Sequence, residues 1–213
     1  MPVRLNDLSV KVHGMALSDI FSNLQILIRW LHVLLGILWI GNLYFFDFVL
    51  TPLRNAATSE ENAVASSLIL RAVEWIRWSA LLTVILGVTL LIMTYFYVPG
   101  KGLGPSEMFL DGRTLSARAV WIFFGMAVAM VMFFNIWFVA APALKKLLLG
   151  RAAPEDIPFL RRRTVRSIRT ATVLSGPMLF GMLAPAHSSA VNFATLTVAL
   201  LLGSLILWCT ARI

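Results

Sequence analysis

Two of the three histidines in this 213-residue chain, His32 and His187, fall within or at the end of long apolar runs. An ionisable ring carried into lipid is costly, and it ordinarily serves a ligand, a proton path or a partner side chain. His32 is followed by Gly36 and then Trp39, and at that spacing the three share one face of a helix. The set is compatible with a b-type haem site. Imidazole ligates the iron, the missing side chain of Gly36 lets a porphyrin approach the backbone, and the indole of Trp39 packs on the ring. His187 is the candidate second axial ligand, and Arg29, just before His32, is placed to offset propionate charge. His13 lies in a polar stretch away from these residues. A plainer reading stands beside this one: His32 bonds a backbone carbonyl of a neighbouring helix, Gly36 serves close helix packing, His187 is an interfacial turn residue and Arg29 snorkels to the headgroups.

Residues of this kind need an apolar scaffold, and the composition provides it. Hydrophobic residues make up 59% and charged residues 13%, with a mean hydropathy of +0.84, which excludes an ordinary water-soluble domain. The pattern predicts an all-α integral membrane protein, a bundle of about five transmembrane helices plus one interfacial amphipathic helix. Residues 1–24 read as a polar N-terminal arm and 25–213 as the transmembrane helical domain, with spans at about 25–50, 79–98, 117–143, 170–187 and 190–211. The amphipathic helix is expected over 58–78, where Thr58 and Glu61 form a capping-box pattern and Arg71, Glu74 and Arg77 interrupt the apolar residues. A loop, PGKGLGP, ends the second span, and Pro177 and Pro185 are expected to kink the fourth.

The net charge of +8 comes mostly from basic residues beside apolar runs, which suits anionic lipid headgroups and argues against nucleic acid. Short basic loops stay cytoplasmic. Placing the stretch from Lys145 to Arg169 inside puts twelve of the eighteen basic residues there and six outside, so the N-terminus is expected outside and the C-terminus in the cytoplasm. The N-terminal stretch lacks a signal-peptide core and is expected to stay attached. Cys209, the single cysteine, lies in the last apolar run, and no CxxC or CxxCH is present. Asp47 is expected to pair with Arg54, and Asn42 and Asn135 to hydrogen-bond between helices. The chain has no GxSxG, phosphate loop or HExxH, which removes the common hydrolase and nucleotide classes. Five spans also do not divide into the repeated halves of a transporter.

The segments RWLHVLLGILWIGNLYFFDFV, NIWFVAAPALKK and RRRTVRSIRTATVLSGPMLFGML together resemble the membrane domain of the bacterial urate-oxidising (urate hydroxylase) family, whose members typically carry a C-terminal cytochrome c. The looser form of the first segment is shared with the oxygen-independent protoporphyrinogen oxidase and copper-resistance membrane families. The resemblance implies a membrane redox protein of the bacterial inner (cytoplasmic) membrane, with His32 at the position of the family's first-helix histidine and His187 close to that of a later one. Two departures matter. The chain carries no cytochrome module after the fifth span, and it reads Ile168-Arg169-Thr170-Ala171-Thr172 where the family has a histidine.

The function expected from residues and resemblance together is a membrane-embedded redox subunit that holds one haem b near the outer face. Electrons then pass between quinone or another membrane subunit and an extracytoplasmic cytochrome c within a larger respiratory or photosynthetic complex. Two alternatives stand beside it: a cofactor-free structural subunit that stabilises a membrane complex, and a urate-hydroxylase-like oxidase working with a separate cytochrome.

Overall fold

The computed structural model describes residues 5–51, 59–98, 102–104, 106, 109–112, 114–187 and 193–210. They are almost entirely helical. Helix α1 covers Leu5–Tyr44 and continues in a π-helical stretch, Phe45–Leu50. Helix α2, Ser59–Leu91, likewise ends in a π-helical stretch, Ile92–Phe96. Helix α3, Ala117–Asn135, passes through a third such stretch, Ile136–Ala140, into α4, Ala141–Leu148. Helices α5, Ile157–His187, and α6, Phe193–Thr210, complete the fold.

Among the described residues, three helical stretches are long and apolar enough to cross a membrane: Asp19–Leu50, Ser66–Phe96 and Ala117–Leu148, of 32, 31 and 32 residues. At 1.5 Å per residue each reaches roughly 48 Å, more than the ~30 Å hydrocarbon core requires. The remaining two spans read from the sequence correspond to the second half of α5 and to α6, which holds the shorter apolar helix Ala194–Cys209.

Two boundaries differ from the sequence reading. From Leu5 onward the polar arm is the beginning of α1 and not a separate element. The segment 59–78 and the span after it form one helix, α2, because no glycine or proline interrupts the chain between Ser59 and Leu86. Pro177 and Pro185 lie inside α5, which continues through both.

The Gly/Pro-rich connection forms two small antiparallel hairpins. Strand β1, Tyr97–Val98, pairs with β2, Gly102–Leu103, and β3, Leu110–Asp111, pairs with β4, Thr114–Leu115. The second hairpin turns at Gly112, whose φ of +65° suits a residue without a Cβ. Ser116 then caps α3, its hydroxyl accepting from the Ala119 amide at 3.1 Å.

Helix α1 packs mainly along α2 and α3 mainly along α5, while α6 lies on α5. The two pairs share a core in which Trp39, Ala80, Met132 and Ala171 are each 1% exposed or less. Helices α3 and α5 approach closely at Gly125 and Gly181. A Cβ built on Gly181 falls 2.7 Å from both Cα and N of Gly125, so only glycine allows the two backbones to touch. Gly181→Val is expected to lower stability by about 1–3 kcal/mol through overpacking. Gly41→Ala, where a Cβ meets nothing within 4 Å, should change it little. Thermal unfolding of the detergent-purified variants checks both.

Candidate functional site

The α1 face that carries His32 and Gly36 is turned toward α2. The His32 ring is half-buried, and its Nδ1 lies 2.9 Å from the Thr83 carbonyl oxygen. A carbonyl only accepts, so Nδ1 carries the proton and, in the neutral ring, Nε2 keeps a lone pair. Thr83 is buried, and its own hydroxyl donates to the Ser79 carbonyl at 2.7 Å. One turn further along α2, Gly87 makes room for the imidazole: a Cβ there would sit 2.9 Å from His32 Cε1. A Cβ on Gly36 would sit 3.9 Å from the Thr83 methyl. Histidine and glycine on one helix thus interlock with threonine and glycine on the other.

The other residues expected at a haem site are dispersed. Trp39 is 1% exposed within the shared core, where its Nε1 meets no acceptor among the described residues. Arg29 is exposed and lies near Tyr95, as does Arg118. His187 is the exposed last residue of α5, a helix that packs mainly on α3 and meets α1 less extensively. Among the described residues, no group of three or more His, Cys, Asp and Glu side chains comes together. The surface that Gly36 was expected to offer a porphyrin faces the Thr83 methyl, and the imidazole rests on Gly87.

A second polar site, at the other end of α1, involves residues that the sequence alone did not connect. Asp47 lies in the π-helical stretch Phe45–Leu50, and its side chain is 0% exposed. Arg54, its expected partner, lies outside the described residues. The carboxylate stands 3.7 Å from Arg169 Nε on α5, beside Thr172. One turn away, the Tyr44 hydroxyl is 2.7 Å from Ser175 Oγ, which donates to the Thr172 carbonyl at 2.6 Å. An acid inside an apolar run signals that a base must exist, but nothing in the linear order distinguishes Arg169 on another helix from the nearer Arg54.

Further polar pairs tie the bundle together. Asn135 Nδ2 donates to the Ser167 carbonyl at 2.8 Å, and Ser167 Oγ donates back to Asn135 Oδ1 at 2.7 Å. Gln25 on α1 donates to Thr94 beyond α2 at 2.9 Å. Glu74 meets both Arg77 and Lys145, and the Arg77 guanidinium stands 4.2 Å from the Trp137 ring centre. Asn42 differs from expectation: its amide turns back to Leu38 O of its own helix at 2.7 Å.

Comparison with known protein families, with curated proteins and with solved structures finds no match to this chain.

The His32 contact has a direct test. Loss of one hydrogen bond between membrane helices costs about 0.6–1.7 kcal/mol, and His32→Ala is expected to destabilise by that amount. Gly87→Ala forces the imidazole away and is expected to cost about 1–3 kcal/mol, part of which His32→Ala should restore in the double variant. Thermal melts of the four proteins in one detergent read the coupling.

Proposed function

We propose that this chain is a packing subunit of a larger membrane assembly, and that its intramembrane polar residues join helices without holding a cofactor. The observation that carries this reading is that three of these side chains hydrogen-bond within the chain, His32 to Thr83, Asn135 to Ser167 and Tyr44 to Ser175, while the Asp47 carboxylate stands 3.7 Å from Arg169. The length of α1 supports a role toward other proteins. Its 40 residues extend about 60 Å, twice the hydrocarbon depth and beyond what ordinary tilt absorbs. Part of that helix therefore stands clear of the lipid, where partner subunits can pack.

The proposed topology has five spans, the second half of α5 and α6 being the fourth and fifth. The N-terminus is outside a bacterial inner membrane and the C-terminus cytoplasmic, in keeping with twelve of eighteen basic residues on the inner side. The start of α2, with Arg71 and Arg77, forms the inner end of the second span.

One observation favours the redox reading as a second possibility. A histidine that ligates metal commonly donates its other ring N–H to a carbonyl, and His32 Nδ1 makes that bond with Thr83, leaving the Nε2 lone pair for iron. The resemblance to the urate-oxidising membrane domain points the same way, with cytochrome c and quinone as the partners of that reading.

A reduced-minus-oxidised visible spectrum with a pyridine haemochrome assay separates the two. It is taken on detergent-purified wild type and His32→Ala from haem-replete cells. Folded, colourless protein in both cases is expected. A b-type α-band in wild type that disappears in His32→Ala overturns the packing reading in favour of the redox one.

A further inference from the structure

Helix α6 rests on α5 at a glycine crossing: a Cβ on Gly176 would lie 3.3 Å from Gly203 Cα. Toward the N-terminal half of α5 an open groove of about 710 Å³ lies between the helices, a volume typical of small-ligand sites. One end is lined by Arg161, Arg162, Arg166 and Arg169, the other by Val173 and Leu174, with Trp208 of α6 forming the far wall. The spacing 162, 166, 169, 173 keeps these residues on a single face of α5. Among the described residues, none that lines the groove is acidic. Asp47 stands beside Arg169, and Arg162 and Arg166 present exposed side chains.

The occupant must be anionic at one end and apolar at the other. It must also reach the groove from the bilayer, because Val173, Leu174 and Trp208 belong to the two helices read as the fourth and fifth spans. Guanidinium groups bind phosphate oxygens in pairs, and an exposed tryptophan beside a basic cluster marks the headgroup level. We infer that this groove is a binding site for an anionic phospholipid, its phosphate held by Arg162 and Arg166 and its acyl chains laid along Val173, Leu174 and Trp208. The inference rests on the chain lying in a membrane and is independent of whether His32 binds haem. Recruitment of general surface charge would favour any basic loop equally. This groove instead joins the charge to an apolar track of matching direction.

Native mass spectrometry of the full-length protein in detergent, titrated with phosphatidylglycerol or phosphatidylcholine of the same chains, tests the site. Phosphatidylglycerol is expected to bind more tightly, and Arg162→Gln/Arg166→Gln should weaken it about 30-fold, the loss for two basic side chains at a membrane surface. Arg162→Lys/Arg166→Lys should retain most of the preference, Trp208→Ala should weaken the lipid without altering the fold, and excess inorganic phosphate should fail to displace it. Equal binding of the two lipids, an unchanged preference in the glutamine variant, or full displacement by phosphate with no effect of Trp208→Ala overturns the proposal. A chain that stays soluble without detergent overturns the membrane reading itself, an outcome distinct from these.

Discussion

Hydrocarbon offers no hydrogen-bonding partner, so every polar side chain carried into a span must find one in the protein or remain at a cost of several kcal/mol. That constraint organises this bundle. Apolar side chains gain little by choosing one helix over lipid, whereas a threonine carbonyl facing an imidazole, or an asparagine facing a serine, recognises one register only. His32 with Thr83 sets α1 against α2, and Asn135 with Ser167 sets α3 against α5. Asp47 and Tyr44 then reach from α1 to Arg169 and Ser175 on α5, joining the two pairs.

Glycine contacts serve the same end by a different route. Where a Cβ would sit 2.7 Å from a neighbouring backbone, at Gly181, dispersion between the helices replaces the directional bond. At Gly87 the two devices meet, since removal of a side chain from α2 is what lets the His32 ring reach the Thr83 carbonyl. Together they explain why the histidine that most suggests chemistry by its type and depth is also a joint of the scaffold.

Much of the helical, membrane-directed character was legible in the sequence, because it depends on summed hydropathy over long windows and on the positions of Pro, Gly and charge. The apolar helical stretches Asp19–Leu50 and Ala117–Leu148 overlap the spans expected at about 25–50 and 117–143. Local turn chemistry was less legible: a run of Gly and Pro excludes helix, but the hairpins around Gly102 and Gly112 depend on pairing across the chain. At the candidate site the importance of His32 and Gly36 followed from the cost of a polar ring in lipid and from helical spacing. Their partners did not, since Thr83 and Gly87 carry no signal until α2 is laid alongside α1. The same holds for Asp47, whose demand for a base is written in its surroundings while the identity of Arg169 is a property of the packing.

If paired polar groups, and not apolar contact alone, hold these helices in register, the Asp47–Arg169 pair should show it. Unfolding free energies of wild type, Asp47→Ala, Arg169→Ala and the double variant, measured in the same detergent, form a double-mutant cycle. Arg169→Ala leaves a fully buried carboxylate without its base and is expected to cost about 3 kcal/mol, the lower end for a broken buried pair because the arginine reaches water. The double variant should then be more stable than Arg169→Ala alone. Additive losses, with the double variant the least stable of the four, would contradict the claim.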